Sequence, residues 1–417
     1  MKYIVFLGDG MADYPVLELG EKTPLQVASK PTIDRIARLG RCGTFLTVPE
    51  DMPPGSEVAN LTVLGYDPRR YYQGRGVIEA ASLGVRLEPD DVALRCNLIC
   101  IKDGRIKNHS AGHITTEEAK LLIEELNRQL SRPTLRFYPG FTYRHLCVLK
   151  EASPEVECFP PHDYVGEKAL DLLPRAKTPS AEKLALSAAE RLALSGAERT
   201  AHLLRDLILQ SWEILPGQAV NLNRTLQGKD PANSIWFWSP GKKPQMPTFQ
   251  ELYGLTGAVI AAVDLIKGLG IYAGFEVINV PGATGLIDTN YEGKADACLE
   301  ALKDHDFIYL HLEAPDEAGH SRDVQQKIKA IELFDSRLVS RVMKGLEEKE
   351  IAVTVAVLTD HPTPVSKGNH THGMVPVAIY NPKLIPDSVE RFDEYSVRNG
   401  GLGELHGDQF IKTLLTQ

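Results

Sequence analysis

Short hydrophobic runs alternate along the chain with helical patterns, and three of the runs end just before acidic or histidine residues. Uninterrupted runs of this kind predict strands that are buried on both faces of a parallel sheet. Ligands bind beyond the carboxyl ends of such strands, so we expect the polar groups to meet at one edge of the sheet. The runs and the groups that follow them are residues 3–7 before Asp9, 307–312 before Asp316, and 351–358 before Asp360 and His361.

The segments between these runs predict helices. Residues 324–346 have apolar side chains at three- and four-residue steps, which is typical of an amphipathic helix. Alternation of strands and helices places the chain in the α/β class.

The middle of the chain follows a different pattern. Residues 136–138 and 145–150 are short alternating stretches, and residues 180–215 are rich in Leu and Ala and predict helix. We therefore predict an α/β domain with a largely parallel sheet flanked by helices, interrupted by a smaller α+β domain. The predicted bounds are 1–80 and 236–417 for the first domain and 81–235 for the inserted one.

The composition of the chain disfavours several classes of protein. The 417 residues carry 46 Lys and Arg against 55 Asp and Glu, a net charge of −9, which does not favour nucleic-acid binding. The six cysteines show no Cys-x-x-Cys spacing, so we expect buried thiols rather than a zinc site or disulfides. No apolar run approaches the ~18 residues of a membrane span, and we expect a cytoplasmic protein without a membrane partner.

The acidic and histidine residues at the predicted sheet edge have metal-ligand character. Asp316 and His320 are four residues apart, so on a helix they share one face. Asp360 and His361 are adjacent at a strand end, where neighbouring side chains diverge and can serve one ion or two. A polar loop with His370 follows. Mixed histidine and carboxylate sets suit zinc, manganese and similar divalent ions.

Ser56 follows Pro-Pro-Gly and precedes a segment that predicts helix. A serine at this position is usually an N-cap, but the same geometry places a hydroxyl where a metal ion can activate it as a nucleophile. Phosphate-binding signatures of other kinds are missing from the sequence: it has no Walker A motif, no G-x-G-x-x-G after a strand and no protein-kinase signature set.

Taken together, seven motifs in matching order resemble those of the archaeal-type, cofactor-independent phosphoglycerate mutases, which belong to the alkaline phosphatase superfamily. The resemblance runs through nearly the whole chain and implies a phosphatase-like α/β domain interrupted by a smaller one. The motifs are GDGMAD, PPGSEVANLTVLGYDP, GRGVIEAASLGV, DVALRCNL, VPGATGLIDTNYEGKA, LHLEAPDEAGH and LTDHPTP.

The resemblance also implies two divalent ions, Mn²⁺ or Mg²⁺, with Zn²⁺ or Co²⁺ as alternatives. The family's last histidine ligand stands six residues before the second proline of a Pro-Val-Pro segment. Here that segment reads Met374-Val375-Pro376, which selects His370 and leaves His372 as the alternative. The implied ligands are Asp9, Ser56, Asp360 and His361 for one ion, and Asp316, His320 and His370 for the other.

By the same resemblance, Ser56 takes the phosphoryl group of 3-phosphoglycerate, and the trapped glycerate reorients and receives it back as 2-phosphoglycerate. The inserted domain must exclude water from the phosphoserine. Arginines suit the carboxylate and phosphate groups of the substrate. The segment NHSAGHI departs from the family in having His113 where arginine is common. The candidate substrate-binding residues are His109, Arg95, Arg144, Asp163 and Arg224.

Three other activities remain open at this stage. A bacterial subgroup with the same N-terminal motif has been labelled a proposed homoserine kinase, so phosphoryl transfer to another small substrate is one alternative. A metal-dependent phosphomonoesterase is the second, because it differs only in whether water reaches the phosphoserine. The third, a catalytically inactive metal-binding protein, is disfavoured because all the ligand types are present.

Overall fold

The computed structural model describes residues 2–177 and 188–416, so the first part of the predicted helical segment 180–215 lies outside the described residues. The strands, numbered in chain order, are β1 Lys2–Gly8, β2 Arg41–Leu46, β3 Val92–Lys102, β4 Arg105–Asn108, β5 Leu135–Tyr138, β6 Arg144–Leu149, β7 Val156–Glu157, β8 Arg175–Ala176, β9 Ser234–Lys242, β10 Gly257–Ile260, β11 Glu276–Val277, β12 Phe307–Leu312, β13 Val353–Leu358, β14 Val375–Tyr380 and β15 Gly403–His406.

Helices of very different length separate these strands. They are α1 Pro24–Val27, α2 Pro31–Leu39, α3 Ser56–Val63, α4 Pro68–Tyr71, α5 Arg75–Ser82, α6 Thr116–Leu130, α7 Ala188–Ile214, α8 Ala219–Leu226, α9 Phe249–Tyr253, α10 Asp264–Tyr272, α11 Tyr291–Ala301, α12 Ala314–His320, α13 Val324–Leu333, α14 Ser340–Glu348 and α15 Gln409–Thr416. A π-helical turn, Phe334–Val339, joins α13 to α14, so the predicted helix 324–346 is nearly continuous.

The chain divides into two compact units, Met1–Tyr72 with Gln245–Gln417, and Gln73–Pro244. The sequence placed the joints at 80/81 and 235/236. The reason for the difference is that α5 packs on β3 and β9 of the second unit, and that β9 continues beyond residue 235.

The first unit is built on a mixed sheet that has eight strands among the described residues, in the order β11-β10-β12-β1-β13-β14-β2-β15. Only β14 runs against the rest, since both of its pairings are antiparallel. The three predicted runs became β1, β12 and β13, and nearly all of their residues are buried. The α/β class and the largely parallel sheet are therefore confirmed.

The second unit contains an antiparallel sheet in which β3 pairs with β4, β6 and β9, and β6 also pairs with β5. Its core is formed by the inner faces of these strands and of α6 and α7. Five of the six free cysteines are buried, and Cys158 is half-buried. In the residues that are described, no helix combines the length and the apolar character that crossing a membrane requires.

His145 gives the second unit an acid-sensitive core. Its Nδ1 accepts the backbone N–H of Gly140 at 3.0 Å, and burial lowers its pKa from 6.5 to about 3. Because the unfolded chain binds a proton at this residue below pH 6.5 and the folded unit does not, stability falls as the pH drops from 6.5 towards 3. We expect His145→Gln to flatten this pH dependence of the unfolding midpoint, and His406→Gln, at an exposed histidine, to leave it unchanged.

Candidate active site

The carboxyl ends of three neighbouring parallel strands position the candidate metal ligands. β12, β1 and β13 lie side by side in the sheet and run in the same direction. Asp9 follows β1, Asp316 lies in the first turn of the helix after β12, and Asp360 and His361 follow β13. The structure thus brings together, at one edge of the sheet, side chains that are more than 300 residues apart in sequence.

Asp316, His320 and His370 form the first group that can hold a metal ion. Nε2 of His320 and Nε2 of His370 lie 3.1 and 3.4 Å from the Asp316 carboxylate and only 3.0 Å from each other. Nδ1 of His320 lies 2.9 Å from the carbonyl oxygen of Gly368, which fixes a proton on Nδ1 and leaves Nε2 as a ligand atom. Three ligand atoms therefore converge on one point.

Protonation at this first group is coupled to ion binding. The hydrogen bond to Asp316 raises the pKa of His320 to about 9. Burial alone would raise the pKa of Asp316, but hydrogen bonds with His320 and His370 hold it well below its usual range. A metal ion requires neutral imidazole, so binding of an ion displaces a proton from His320.

His372, the alternative to His370, lies elsewhere. Its Nε2 is 2.8 Å from the carbonyl oxygen of Met52, and the side chain is exposed. We expect His370→Asn to weaken Mn²⁺ binding by about tenfold or more, whereas the matched variant His372→Asn changes it little. Calorimetric titration of both variants with Mn²⁺ checks this prediction, and the reverse order would make His372 the ligand.

A second group surrounds Ser56, the first residue of α3. The N-cap of this helix is Gly55, and the serine side chain makes no capping bond. Instead, Oγ of Ser56 lies 3.0 Å from Nε2 of His361, and that nitrogen is 3.5 Å from Asp9 Oδ1 and 3.4 Å from Asp360 Oδ2. The structure therefore places the hydroxyl beside the carboxylates, which the sequence alone did not establish.

Hydrogen bonds orient Asp360 in this group. Oδ1 accepts the backbone N–H groups of Gly10 and His361, at 3.1 and 2.9 Å. Oδ2 accepts the Asn60 amide at 3.0 Å, and the same amide bonds to the backbone carbonyl of Ser56. Asn60 thus links the nucleophile candidate to a metal-ligand candidate. Sequence reasoning missed this role, although Asn60 stands four residues after Ser56 on α3, which is the spacing of one helical face.

The buried charge of this region fits a divalent cation. Burial raises the pKa of Asp9 well above its usual range, and the neighbouring carboxylates of Asp360, Glu313 and Asp316 raise it further. Oδ1 of Asp9 is buried and has no hydrogen-bond partner. Buried carboxylates with an unpartnered oxygen are unfavourable without a positive charge, so these residues match a site for hard or borderline divalent ions.

Two further residues that sequence reasoning missed, His311 and Glu313, lie beside Asp9. Nε2 of His311 is 3.0 Å from Asp9 Oδ2, and burial lowers the pKa of this histidine to about 3. Burial and the charge of Asp316 raise the pKa of Glu313 to about 8. Lys294, also buried, donates to the backbone carbonyl of His311 at 3.0 Å. A histidine inside the hydrophobic run FIYLHL was the available signal.

In the second unit, four of the five candidate substrate-binding residues belong to one aromatic cluster. The cluster is built on Trp238, Tyr143 and His162, of which Trp238 is buried, Tyr143 half-buried and His162 exposed. The ring centroid of His109 lies 5.6 Å from that of Tyr143 and 6.1 Å from that of His162. The guanidinium of Arg95 lies 4.3 Å from the ring centroid of Trp238, and the guanidinium of Arg144 lies 5.7 Å from the ring centroid of Tyr143. The carboxylate of Asp163 lies 3.7 Å from Nε2 of His162.

The fifth candidate, Arg224, does not belong to this cluster. It is buried, and its guanidinium donates to the carboxylate of Glu118 and to the backbone carbonyls of Asp230, Ala111 and Gly112. These bonds hold a turn whose residues have left-handed backbone conformations, with φ of 48° at Ala111 and 62° at Gly112. These four hydrogen bonds give Arg224 a structural role in this turn, and its predicted role as a substrate ligand stays a prediction.

Comparisons with known proteins show which family this chain is similar to. Residues 37–221 match the family model described as 2,3-bisphosphoglycerate-independent phosphoglycerate mutase. A protein of that name from Methanosarcina acetivorans is 51% identical over 417 residues, which is 100% of both chains. A Geobacter sulfurreducens protein named probable 2,3-bisphosphoglycerate-independent phosphoglycerate mutase is 46% identical, again over 100% of both chains.

Two solved structures share the fold of this chain over its full length. A Pyrococcus horikoshii protein superposes with a TM-score of 0.81 at 28% identity and covers 100% of this chain and 97% of its own. The cofactor-independent phosphoglycerate mutase from Thermoplasma acidophilum superposes with a TM-score of 0.67 at 26% identity, over 100% of this chain and 99% of its own.

Proposed function

The chain belongs to the 2,3-bisphosphoglycerate-independent phosphoglycerate mutases, and on this premise we propose that Ser56 carries the phosphoryl group between two oxygens of glycerate. The enzyme is an isomerase that interconverts 3-phosphoglycerate and 2-phosphoglycerate. The observation that supports the role of Ser56 is the 3.0 Å approach of its Oγ to Nε2 of His361, within the group that contains Asp9 and Asp360.

We propose that two divalent ions bind at the sheet edge. When bound, they supply positive charge that lowers the pKa of the serine hydroxyl and offsets the charge that develops on the transferred group. Mn²⁺ and Mg²⁺ are the expected ions, with Zn²⁺ or Co²⁺ as alternatives. The proposed ligands are Asp9, Ser56, Asp360 and His361 for one ion, and Asp316, His320 and His370 for the other.

The transfer needs two displacements. In the first, Oγ of Ser56 loses its proton and bonds to phosphorus while the bond from phosphorus to O3 of the substrate breaks, and O3 gains a proton. In the second, O2 of the retained glycerate loses its proton and bonds to phosphorus while the bond from phosphorus to Oγ of Ser56 breaks, and Oγ regains a proton. Water that reached the phosphoserine would release free phosphate instead, so glycerate must stay bound between the two steps.

The aromatic cluster of the second unit is the proposed binding site for the anionic groups of phosphoglycerate. Arg144 is exposed at the start of β6, which leaves its guanidinium accessible to a ligand. A hydrogen bond to a charged group contributes about 1.5–3 kcal/mol, so we expect Arg144→Met to raise KM by about tenfold or more. Arg136→Met, at an exposed arginine on the neighbouring β5, is the matched control and should leave KM unchanged.

A phosphorus NMR time course tests the proposed activity. The protein is incubated with Mn²⁺ and 3-phosphoglycerate, without bisphosphoglycerate and without nucleotide. We expect the 2-phosphoglycerate signal to grow without free phosphate. Free phosphate alone would show a phosphomonoesterase, and no change would direct the next experiment to homoserine with ATP.

A further inference from the structure

We propose that the buried ion pair between Lys327 and Asp13 is a positioning device that holds two ligand-bearing loops at the spacing needed for ion binding. Loop A is residues 9–13, after β1, and loop B is residues 359–365, after β13. The inference rests on the proposed function only in taking residues of these loops as metal ligands. Lys327 and Asp13 themselves belong to neither proposed ligand set.

Lys327 lies on α13, and its ammonium group is fully buried. Nζ donates to the carboxylate of Asp13 at 2.7 Å, to the carbonyl of Ala12 at 3.2 Å and to the carbonyl of Thr363 at 2.8 Å. An ammonium group has three protons, so all of its donors are used. Two of the bonds go to loop A and one to loop B, and one side chain therefore ties both loops together.

Asp13 makes the reciprocal connection from loop A. Its carboxylate accepts the backbone N–H of Val365, in loop B, at 3.2 Å, and the N–H of Tyr14 at 2.8 Å. Its own N–H donates to the carboxylate of Glu394 at 2.9 Å, which Thr23 also contacts. The pair is therefore bonded to both loops from both of its ends.

Thr363 connects Lys327 to the ligand candidates through its carbonyl and hydroxyl groups. Its carbonyl accepts the Lys327 proton, while its hydroxyl donates to the carboxylate of Asp316 and lies 3.2 Å from Nδ1 of His361. Asp316 and His361 belong to different ion groups. A shift of Thr363 would consequently move a ligand of each group.

Loop A packs closely against Asp316 and loop B, so a small displacement of either loop would be felt at the ligand candidates. Gly10 has φ of 61°, and a Cβ there would lie 2.5 Å from Asp316 Oδ1 and 2.7 Å from Thr363 Oγ1. The backbone of loop A therefore approaches Asp316 and loop B within contact distance. A fully buried ion pair is a poor source of stability, because desolvation opposes the attraction between the charges, and burial lowers the pKa of Lys327. The ion pair is therefore better explained as a device that positions the two loops than as a source of stability for the folded protein.

The test measures Mn²⁺ affinity by calorimetry in the absence of substrate, on the full chain. We expect Lys327→Met to raise the dissociation constant for Mn²⁺ by tenfold or more, and saturating Mn²⁺ to restore much of kcat. The matched control is Lys30→Met, which removes another buried lysine of the same unit, whose ion-pair partner at 3.2 Å, Asp34, belongs to neither loop. It should leave the dissociation constant within about twofold of wild type.

Asp13→Asn is the second variant, in case Lys327→Met does not fold, and it should weaken binding in the same direction. Unchanged Mn²⁺ affinity in a folded Lys327→Met or Asp13→Asn protein overturns the positioning role alone. Equal weakening in Lys30→Met also overturns it, because loss of any buried lysine would then have the same effect. A wild-type protein that binds no Mn²⁺ overturns both the ion sites and the positioning role.

Discussion

Ser56→Ala is expected to reduce mutase turnover by roughly 10⁴-fold or more, because the proposed pathway has no other group that accepts the phosphoryl group. Only the hydroxyl oxygen is removed, and its hydrogen bond goes to Nε2 of His361, outside α3, so the helix should be retained. Initial rates measured by phosphorus NMR give the effect on turnover. Acid quenching followed by peptide mass spectrometry should find phosphate on Ser56 in wild type and none in the variant.

The controls separate loss of the nucleophile from loss of the site. Asp316, His320 and His370 do not depend on Ser56, so the variant should still bind Mn²⁺ at that group. Ser336→Ala removes an exposed hydroxyl that bonds only to the carbonyl of Glu332 in the same helical segment, and it should be fully active. Turnover by Ser56→Ala at a wild-type rate would mean that the phosphoryl group passes between O3 and O2 without a covalent enzyme intermediate.

The fold was predictable where local pattern and burial agree. The run 307–312 is β12 residue for residue, and the run 351–358 contains β13. The antiparallel direction of β14 was not predictable from the sequence. The pairing of β14 with β13 and β2 depends on the path of the chain, and the hydrophobic pattern of β14 does not reveal it. The first joint of the second unit lies eight residues before the predicted one for a related reason, since the sequence of α5 does not show which unit the helix packs against.

At the candidate site, sequence reasoning found residues that follow strand ends and missed residues that act through contacts. Asp316 and His320 were paired by helical spacing, and the structure brings them within 3.1 Å. Glu313 follows β12 directly and was missed despite that strand-end position, whereas the role of Thr363 depends on contacts between segments far apart in sequence, for which one sequence gives no signal. An arginine such as Arg224 is chemically suited to a phosphate, but only the structure reveals that its guanidinium already bonds to Glu118 and to the carbonyl of Ala111.

Asp9→Asn should act in opposite directions on the ion-free and the ion-bound protein. Asp9 is fully buried beside the carboxyl groups of Glu313, Asp316 and Asp360, which raise its pKa in addition to the effect of burial. Asparagine has nearly the same shape and keeps an acceptor for Nε2 of His311, but it removes one of four crowded acidic groups. Without ions, we therefore expect the unfolding midpoint of the variant to equal or exceed that of wild type.

With ions bound, we expect the unfolding midpoint of Asp9→Asn to fall below that of wild type. A ligand present at 100 times its dissociation constant stabilises the folded state by about 2.7 kcal/mol, and the variant should lose most of this gain because Asp9 is a proposed ligand. Loss of several kcal/mol of charge stabilisation should also lower turnover by on the order of 10³-fold. Thermal unfolding of variant and wild type in EDTA and in Mn²⁺ measures the difference in unfolding midpoint under each condition.

Asp393→Asn is the control that shows whether the reversal of the unfolding midpoints is specific to Asp9. Asp393 is also a buried carboxylate of the first unit, but its oxygens accept the backbone N–H groups of Tyr395 and Ser396 and the Ser396 hydroxyl, so its charge is already matched by donors. Its loss should destabilise the protein equally with and without Mn²⁺. If Asp9→Asn behaved in the same way, Asp9 would be a structural carboxylate and the ion beside Ser56 would have to be held by other residues.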